Sequence, residues 1–276
     1  MKIAALLTCH NRCDKTITCI EAWHASAELA GIEHQIFVVD DGSTDGTYDA
    51  IRNAFPLAQL ISGSGSLFWA GGMRKAFAAA LAGNYDYYLW LNDDTFLYPE
   101  AIATLIRSEQ ASTDASGRPV LVVGTVKDPQ TDQLTYGGRV SRGWKQPLFY
   151  DLVVPQISPV ACDTMNGNCV LIPSEIARTV GNLDPVFTHG KADYDYGYRV
   201  RKAGYLLVVA DAVVGECSRN DPENWEKLCN MTLVQRWRYL NGPKYYPLHE
   251  WWVYTRRHAG VFWLIHWLRP YFNIFY

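Results

Sequence analysis

The sequence predicts an α/β protein built on a doubly wound, mostly parallel sheet, with an aromatic helical extension at its C-terminus. Three observations carry this expectation. Short apolar runs of strand length alternate with stretches of helical spacing from residue 3 to about 209. Four of these runs end in polar clusters, at residues 8–12, 40–43, 62–66 and 92–95, as in open α/β sheets whose ligands lie beyond the carboxyl ends of the strands. Hydrophobic residues make up 49% and charged residues 19% of the 276 residues, which allows a sizeable core and argues against disorder.

The first strand is expected over residues 3–8, closed by the polar Cys9-His10-Asn11-Arg12. Apolar residues at helical spacing (Ile17, Ile20, Trp23, Ala27) predict a helix over 14–29, with Gly31 as its stop. A second buried strand over 35–39 runs into an acidic turn, Asp40-Asp41-Gly42-Ser43-Thr44-Asp45-Gly46-Thr47, that opens a helix over 48–55. A third strand, 57–61, leads to the glycine-rich Ser62-Gly63-Ser64-Gly65-Ser66 and an Ala-rich helix through 82. The fourth, Tyr87-Tyr88-Leu89-Trp90-Leu91, ends in Asn92-Asp93-Asp94-Thr95, and Pro99-Glu100 begins another helix. Strands over 120–126, 169–172 and 205–209, and a helix over 192–203 closed by Gly204, continue the alternation. Residues 135–149 read as an irregular loop or hairpin, 163–168 as a polar loop and 181–189 as turn-rich. The alternation stops near 221, and no internal repeat or low-complexity tract is present.

The fourth strand organises the rest. Two adjacent carboxylates at the tip of a buried strand repel each other and lose hydration unless a cation sits with them. Hard divalent ions such as Mg²⁺ or Mn²⁺ take oxygen ligands and keep water and substrate phosphates in their shell. The same stretch also reads as a turn or helix cap. An Asp at the end of the second strand, Asp40 or Asp41, can accept from the N3–H of uracil or thymine, or act as an Asx-type cap. The 62–66 loop can approach a diphosphate closely, although it matches neither a Walker loop nor a dinucleotide fingerprint.

Taken together, Thr8-Cys9-His10-Asn11-Arg12, Val38-Val39-Asp40-Asp41-Gly42-Ser43-Thr44-Asp45-Gly46-Thr47 and Leu91-Asn92-Asp93-Asp94-Thr95 resemble the family 2 glycosyltransferases, in order and in spacing. The resemblance covers roughly residues 1–215. Residues 65–73, Gly-Ser-Leu-Phe-Trp-Ala-Gly-Gly-Met, are similar to the bacterial rhamnosyltransferase-like branch. The resemblance implies a Rossmann-like GT-A fold and an inverting transfer from a nucleotide-sugar donor with Mn²⁺ or Mg²⁺ as cofactor. It places Thr8, Asn11, Arg12, Asp40, Asp41, Gly65 and Asp93 on the donor side. Asp93 and Asp94 form the metal site, Asp94 as the more direct ligand. Trp69, Asn166 and Asp195 fall on the acceptor side.

In the family the catalytic base is the Asp of a Glu-Asp pair before a helix ending Arg-Lys-Ala-Gly-Tyr. Here Arg201-Lys202-Ala203-Gly204-Tyr205 matches that ending, and counting back gives Ala192-Asp193. Asp193 is thus the implied base, with a helix cap as its plainer role and Asp195 as cap or acceptor contact. A late His often completes the metal shell. Here the chain reads Val214-Gly215-Glu216-Cys217-Ser218, so Glu216 or water would have to substitute.

The resemblance implies a hexosyl or deoxyhexosyl transferase that uses dTDP-rhamnose-like or UDP-hexose donors. Its acceptor would be a hydroxyl of a bacterial surface glycan or a polyprenyl-linked oligosaccharide. Residues 1–220 would form the catalytic domain, with 1–126 for the nucleotide-sugar, 127–220 for the acceptor, and 221–276 as the extension. The rivals are a catalytically silent GT-A domain that binds glycan or scaffolds an assembly, and a sugar nucleotidyltransferase. The latter would need a basic glycine-rich loop after the first strand.

A net charge of −3 argues against a nucleic-acid partner. Seven Cys without a CxxC pair suit free thiols in a reducing cytoplasm. The first nine residues only faintly imitate a signal peptide and are read as strand. From 237 to 276, Trp and Tyr alternate with Arg256, Arg257, His258 and Arg269. That pattern suits a helix in the headgroup layer at the inner face of the membrane, a helix packed on the catalytic domain, or a homodimer contact.

Overall fold

A computed structural model describes residues 1–219 and 230–272. The expected domain boundary at 220/221, Cys229 and the last four residues lie outside these. The strands are β1 (Lys2–Cys9), β2 (Glu33–Asp40), β3 (Gln59–Ser62), β4 (Tyr87–Leu91), β5 (Phe96–Leu97), β6 (Leu121–Lys127), β7 (Leu134–Tyr136), β8 (Gly138–Ser141), β9 (Tyr150–Leu152), β10 (Val160–Ala161), β11 (Thr164–Met165), β12 (Cys169–Pro173) and β13 (Leu207–Glu216). The helices are α1 (Cys13–Leu29), α2 (Thr47–Ala54), α3 (Phe68–Leu81), α4 (Ala101–Ser116), α5 (Ser174–Val180), α6 (Ala192–Lys202), α7 (Leu233–Leu240), α8 (Leu248–His258) and α9 (Trp263–Phe272).

The main sheet runs β10-β13-β6-β12-β4-β1-β2-β3, with β5 on β13 and β7 on β6. β1, β2, β3 and β4 pair in parallel, and β13 pairs in parallel with β6. Period-2 alternation splits the strand residues between two cores. Ala4 and Leu6 pack under α3, α5, α6 and the extension, whereas Ile3, Ala5 and Leu7 pack under α1 and α4. Both faces of β1 are therefore covered, and the strand reads as an unbroken apolar run.

β12 runs antiparallel to both β4 and β6, and the short β5, β7 and β10 are antiparallel additions to β13 and β6. The reversal of β12 brings the start of that strand to the carboxyl edge of its neighbours, where Asn92 N–H donates to the Asn168 carbonyl at 3.0 Å. The polar loop at 163–168 thereby joins the other four clusters on one rim. The helix α3 crosses the end of β1 at Gly72, where a Cβ would stand 2.0 Å from the Thr8 hydroxyl oxygen.

Several boundaries differ from expectation. The third strand starts two residues late, because Phe55 and Ala58 close a turn (Ala58 N–H to Phe55 O, 2.9 Å). The 135–149 region contributes β7 and β8, and β8 pairs with β9 and β11 in a separate three-stranded sheet. The last strand extends to Glu216, well past residue 209. Helix α5 was not anticipated at all. The six described cysteines are free thiols. No helix among the described residues is long and apolar enough to cross a membrane.

Candidate active site

The rim is closed by contacts between clusters far apart in sequence. One Arg12 guanidinium nitrogen, Nη1, donates to both Asp93 Oδ1 and Asp94 Oδ2 at 3.0 Å. Asp93 is buried, and loss of hydration pushes its carboxyl up to about 6 against the pull of Arg12. The pair carries two negative charges against one guanidinium. At the position of the missing His, β13 turns Cys217 toward this pair, its thiol 3.6 Å from Asp94 Oδ1. Glu216, the expected substitute, points the other way and accepts from the Tyr98 hydroxyl at 2.9 Å. Strand alternation puts neighbouring side chains on opposite faces, so only one of the two can face Asp94.

The two acids after β2 turn inward. Asp40 accepts from the backbone N–H (3.1 Å) and the hydroxyl (2.5 Å) of Ser43, an Asx-type turn. Asp41 accepts from the backbone N–H groups of Gly65, Leu67 and Phe68 at 2.8–3.0 Å. Both Asp41 oxygens therefore hold the glycine-rich loop and the start of α3, and the side chain is not presented to a base. Gly42 is required here, since a Cβ would meet the Gly65 backbone at 3.0 Å and its φ is +72°. Thr8, also expected to face the donor, gives its hydroxyl to the Val39 carbonyl at 3.2 Å. Asn11 bridges to the second cluster, its Oδ1 accepting from Thr44 N–H at 2.7 Å.

On the opposite wall, half-buried Asp193 accepts from Gly167 N–H at 3.1 Å and from Tyr194 N–H at 2.9 Å. Burial raises its carboxyl above the ordinary range despite these bonds and nearby Lys191. Gly167 is glycine because the Trp69 ring lies where its Cβ would be, at 2.4 Å, with Asp193 Cβ at 3.4 Å. Trp69 is fixed in turn by its indole N–H donating to Asn92 Oδ1 at 2.7 Å. Asn166 accepts from Arg139 Nε at 2.8 Å and reaches the Tyr194 hydroxyl at 3.4 Å. Asn92 links the Asp93–Asp94 turn to this wall. Sequence reasoning passed over it, although a polar residue directly following a buried strand was a signal.

Asp195 does not reach the rim. It is fully buried and accepts from Arg257 Nη1 and from His258 Nε2, each at 3.0 Å. The acceptor contact expected for it is corrected: it fastens α6 to α8. His189 has a structural position as well, accepting from Trp69 N–H at 3.4 Å. Burial, with Lys244 and Arg12 nearby, lowers it to about 4, which keeps it neutral at pH 7.

Residues 5–167 match the family model described as "Glycosyl transferase family 2". The chain belongs to glycosyl transferase family 2. No curated protein matches it significantly. Among solved structures, it is similar to the mannosyltransferase PcManGT from Pyrobaculum calidifontis in complex with GDP-Man and Mn²⁺, at 14% identity and a TM-score of 0.58, over 99% of this chain and 72% of that one. It is also similar to GalNAc-T7 with UDP, GalNAc and Mn²⁺ (15%, TM-score 0.59), covering 98% of this chain. A third is S. aureus TarS 1-349 in complex with UDP (13%, 0.56), with 93% of this chain and 70% of that one covered. The chain spans about half the length of GalNAc-T7 (54%).

The fold of this family 2 enzyme is thus GT-A, and the chain is a glycosyltransferase using nucleotide-sugars. Among its described residues, no three His, Cys, Asp or Glu side chains converge as a metal cage. The donor set of this glycosyltransferase still fits a hard cation. Asp93 and Asp94 supply carboxylate oxygens with one guanidinium between them, so a divalent ion with water or phosphate oxygens could complete its shell there.

Proposed function

We propose that this glycosyltransferase inverts the anomeric centre as it transfers a hexosyl or deoxyhexosyl unit to a hydroxyl of a bacterial cell-surface glycan or lipid-linked oligosaccharide. The donor is a dTDP-rhamnose-like deoxysugar nucleotide or a UDP-hexose, in keeping with the rhamnosyltransferase-like branch. One observation carries the reading: an Asp193 carboxylate made more basic by burial stands beside Trp69 and Gly167, on the same rim as the Asp93–Arg12–Asp94 group.

In this reading, Asp193 accepts the proton of the acceptor hydroxyl as its oxygen bonds to the anomeric carbon and the carbon–diphosphate bond breaks. Trp69, Asn166 and Tyr194 shape the acceptor side. Asn11, Arg12 and Gly65 face the donor, and Asp41 positions the loop that carries Gly65. Asp94, with Asp93, would hold Mn²⁺ or Mg²⁺, which supplies charge compensation for the departing diphosphate. Arg12, whose guanidinium lies against both carboxylates, would suit the planar oxygen pairs of the diphosphate. Residues 1–126 serve the nucleotide-sugar and 127–220 the acceptor, and the enzyme works in the cytoplasm at the inner face of the membrane.

The test is calorimetric binding of UDP, dTDP and GDP to purified protein with Mn²⁺ and then with EDTA. Metal-dependent binding of one nucleotide, lost in Asp94→Ala, is the expected result and names the donor class. Absence of binding by all three would overturn the reading.

A further inference from the structure

We infer that the outer face of α9, continued by α7, is a docking surface for an anionic lipid bilayer. The inference deepens, and rests on, the reading that the acceptor is presented at a membrane. It starts from the spacing of exposed apolar residues. Val261, Leu264, Ile265, Leu268 and Phe272 are all exposed, Val261 at 88% and Ile265 at 63%. Steps of three, four and seven residues put Leu264, Ile265, Leu268 and Phe272 on one face of α9, with Val261 in the 3-10 turn just before it. The other face is already used: Tyr271 is buried, and Trp267 and Trp251 exchange bonds with α8 and α9, Trp251 Nε1 to Trp267 O and Trp267 Nε1 to Leu248 O, both at 3.2 Å. A helix apolar on both sides needs a second apolar neighbour.

The surface continues onto α7, where Leu233, Val234 and Trp237 are exposed and the Trp237 ring lies 5.8 Å from that of Tyr271. Large exposed apolar patches mark interaction sites. Charge then selects the occupant. Residues 230–272 hold six Lys and Arg but a single acid, Glu250, in a chain whose net charge is −3. Arg257 is paired with Asp184 and Asp195, and the five others in this stretch still outnumber Glu250, while 221–276 as a whole holds seven Lys and Arg against four acids. The exposed Arg256 and Arg269 set their guanidinium groups over the rings of Trp252 and Phe149, at 5.1 and 4.9 Å. An isologous dimer through this face would set one basic surface against its copy. Anionic headgroups over an apolar layer satisfy both features, and with no described helix able to cross a bilayer, α9 lies in its interface.

The experiment uses the full chain and flotation with vesicles of phosphatidylcholine alone or mixed with phosphatidylglycerol. The expected result is flotation with the anionic vesicles only. The Leu264→Gln/Ile265→Gln variant should bind them at least about tenfold more weakly, since each side chain is already exposed and leaves the fold intact. Arg238→Gln/Arg269→Gln, both exposed, should lessen the preference for anionic lipid and make it less salt-sensitive. Two results would overturn the inference. One is failure of the wild type to float. The other is self-association without lipid that the Leu264→Gln/Ile265→Gln variant abolishes, which would make the face an interface between copies. Nucleotide binding is measured on the same samples. Its retention without flotation sinks the docking surface alone, and its loss with flotation intact sinks the catalytic reading alone.

Discussion

Of the four non-glycine residues with positive φ among the described residues, Asn11, Phe68 and Lys191 stand in the loops that form the rim. Each such backbone costs about 1 kcal/mol and persists where its neighbours over-determine it. Phe68 is held there by Asp41. A base must be ionised to work, and burial raises the Asp193 carboxyl, so the rate should fall as pH drops through a value above the usual carboxylate range. Asp193→Asn is expected to lower kcat by roughly 10²–10⁴-fold and to remove that acid limb, with nucleotide affinity unchanged; pH–rate profiles of both proteins check this. Asp93 makes the opposite kind of prediction. With its carboxyl at about 6 in the fold against about 4 unfolded, stability is fullest below the unfolded value and declines as pH rises through 6. At neutral pH the metal-free protein bears that penalty, so Asp93→Asn should raise its melting stability by about 2 kcal/mol while abolishing Mn²⁺ binding, as calorimetry would show. Asp93, Asp94 and Asp193 were legible as candidates because local motifs mark them. The partners of Asp41 were not, because they lie 24 to 27 residues away along the chain.

Elements add direction and proximity. The apolar run at 169–172 announces a buried strand, yet periodicity is the same read from either end and says nothing of orientation. Antiparallel pairing with β4 brings Gly167 beside Asp193 and Asn168 beside Asn92. The extra length of β13 was hidden because Asp211 interrupts its apolar run. That acid is paired with Arg107 (2.9 Å) at the flank of α4. The close crossing of α3 over β1 gives an element-scale test. Gly72→Ala would put a methyl 2.0 Å from the Thr8 hydroxyl oxygen, with Thr8 fixed by the sheet. It should lower stability by about 1–3 kcal/mol in denaturant unfolding and weaken nucleotide binding by shifting the loop before α3.

At the scale of the whole molecule, the extension is part of the core. Leu240, Trp251, Tyr254 and Tyr271 belong to the same cluster as Leu6, Trp90 and Tyr196. Arg257 ties Asp184 (2.8 Å) and Asp195 (3.0 Å), and the Tyr254 hydroxyl meets that of Tyr150 at 2.8 Å. Arg257→Met would leave the buried Asp195 carboxylate with His258 as its main partner and should cost about 2–3 kcal/mol in urea unfolding. Adding Asp195→Asn should recover most of that loss, because the unpaired charge, rather than the lost bridge, carries the penalty.

The sequence by itself determined the fold class and the two-sided core, and it singled out the acids of the candidate site. Apolar periodicity and motif chemistry act over a few residues, and a chain with this alternation has few other ways to bury its strands. Tertiary structure alone decided the reversal of β12, the inward turn of Asp41, and the choice of Cys217 over Glu216 beside Asp94. It also decided the burial of Asp195 under α8 and which face of α9 stays open. Each of these depends on segments distant in the chain meeting in space, where packing and the need to pair every buried polar group set the outcome.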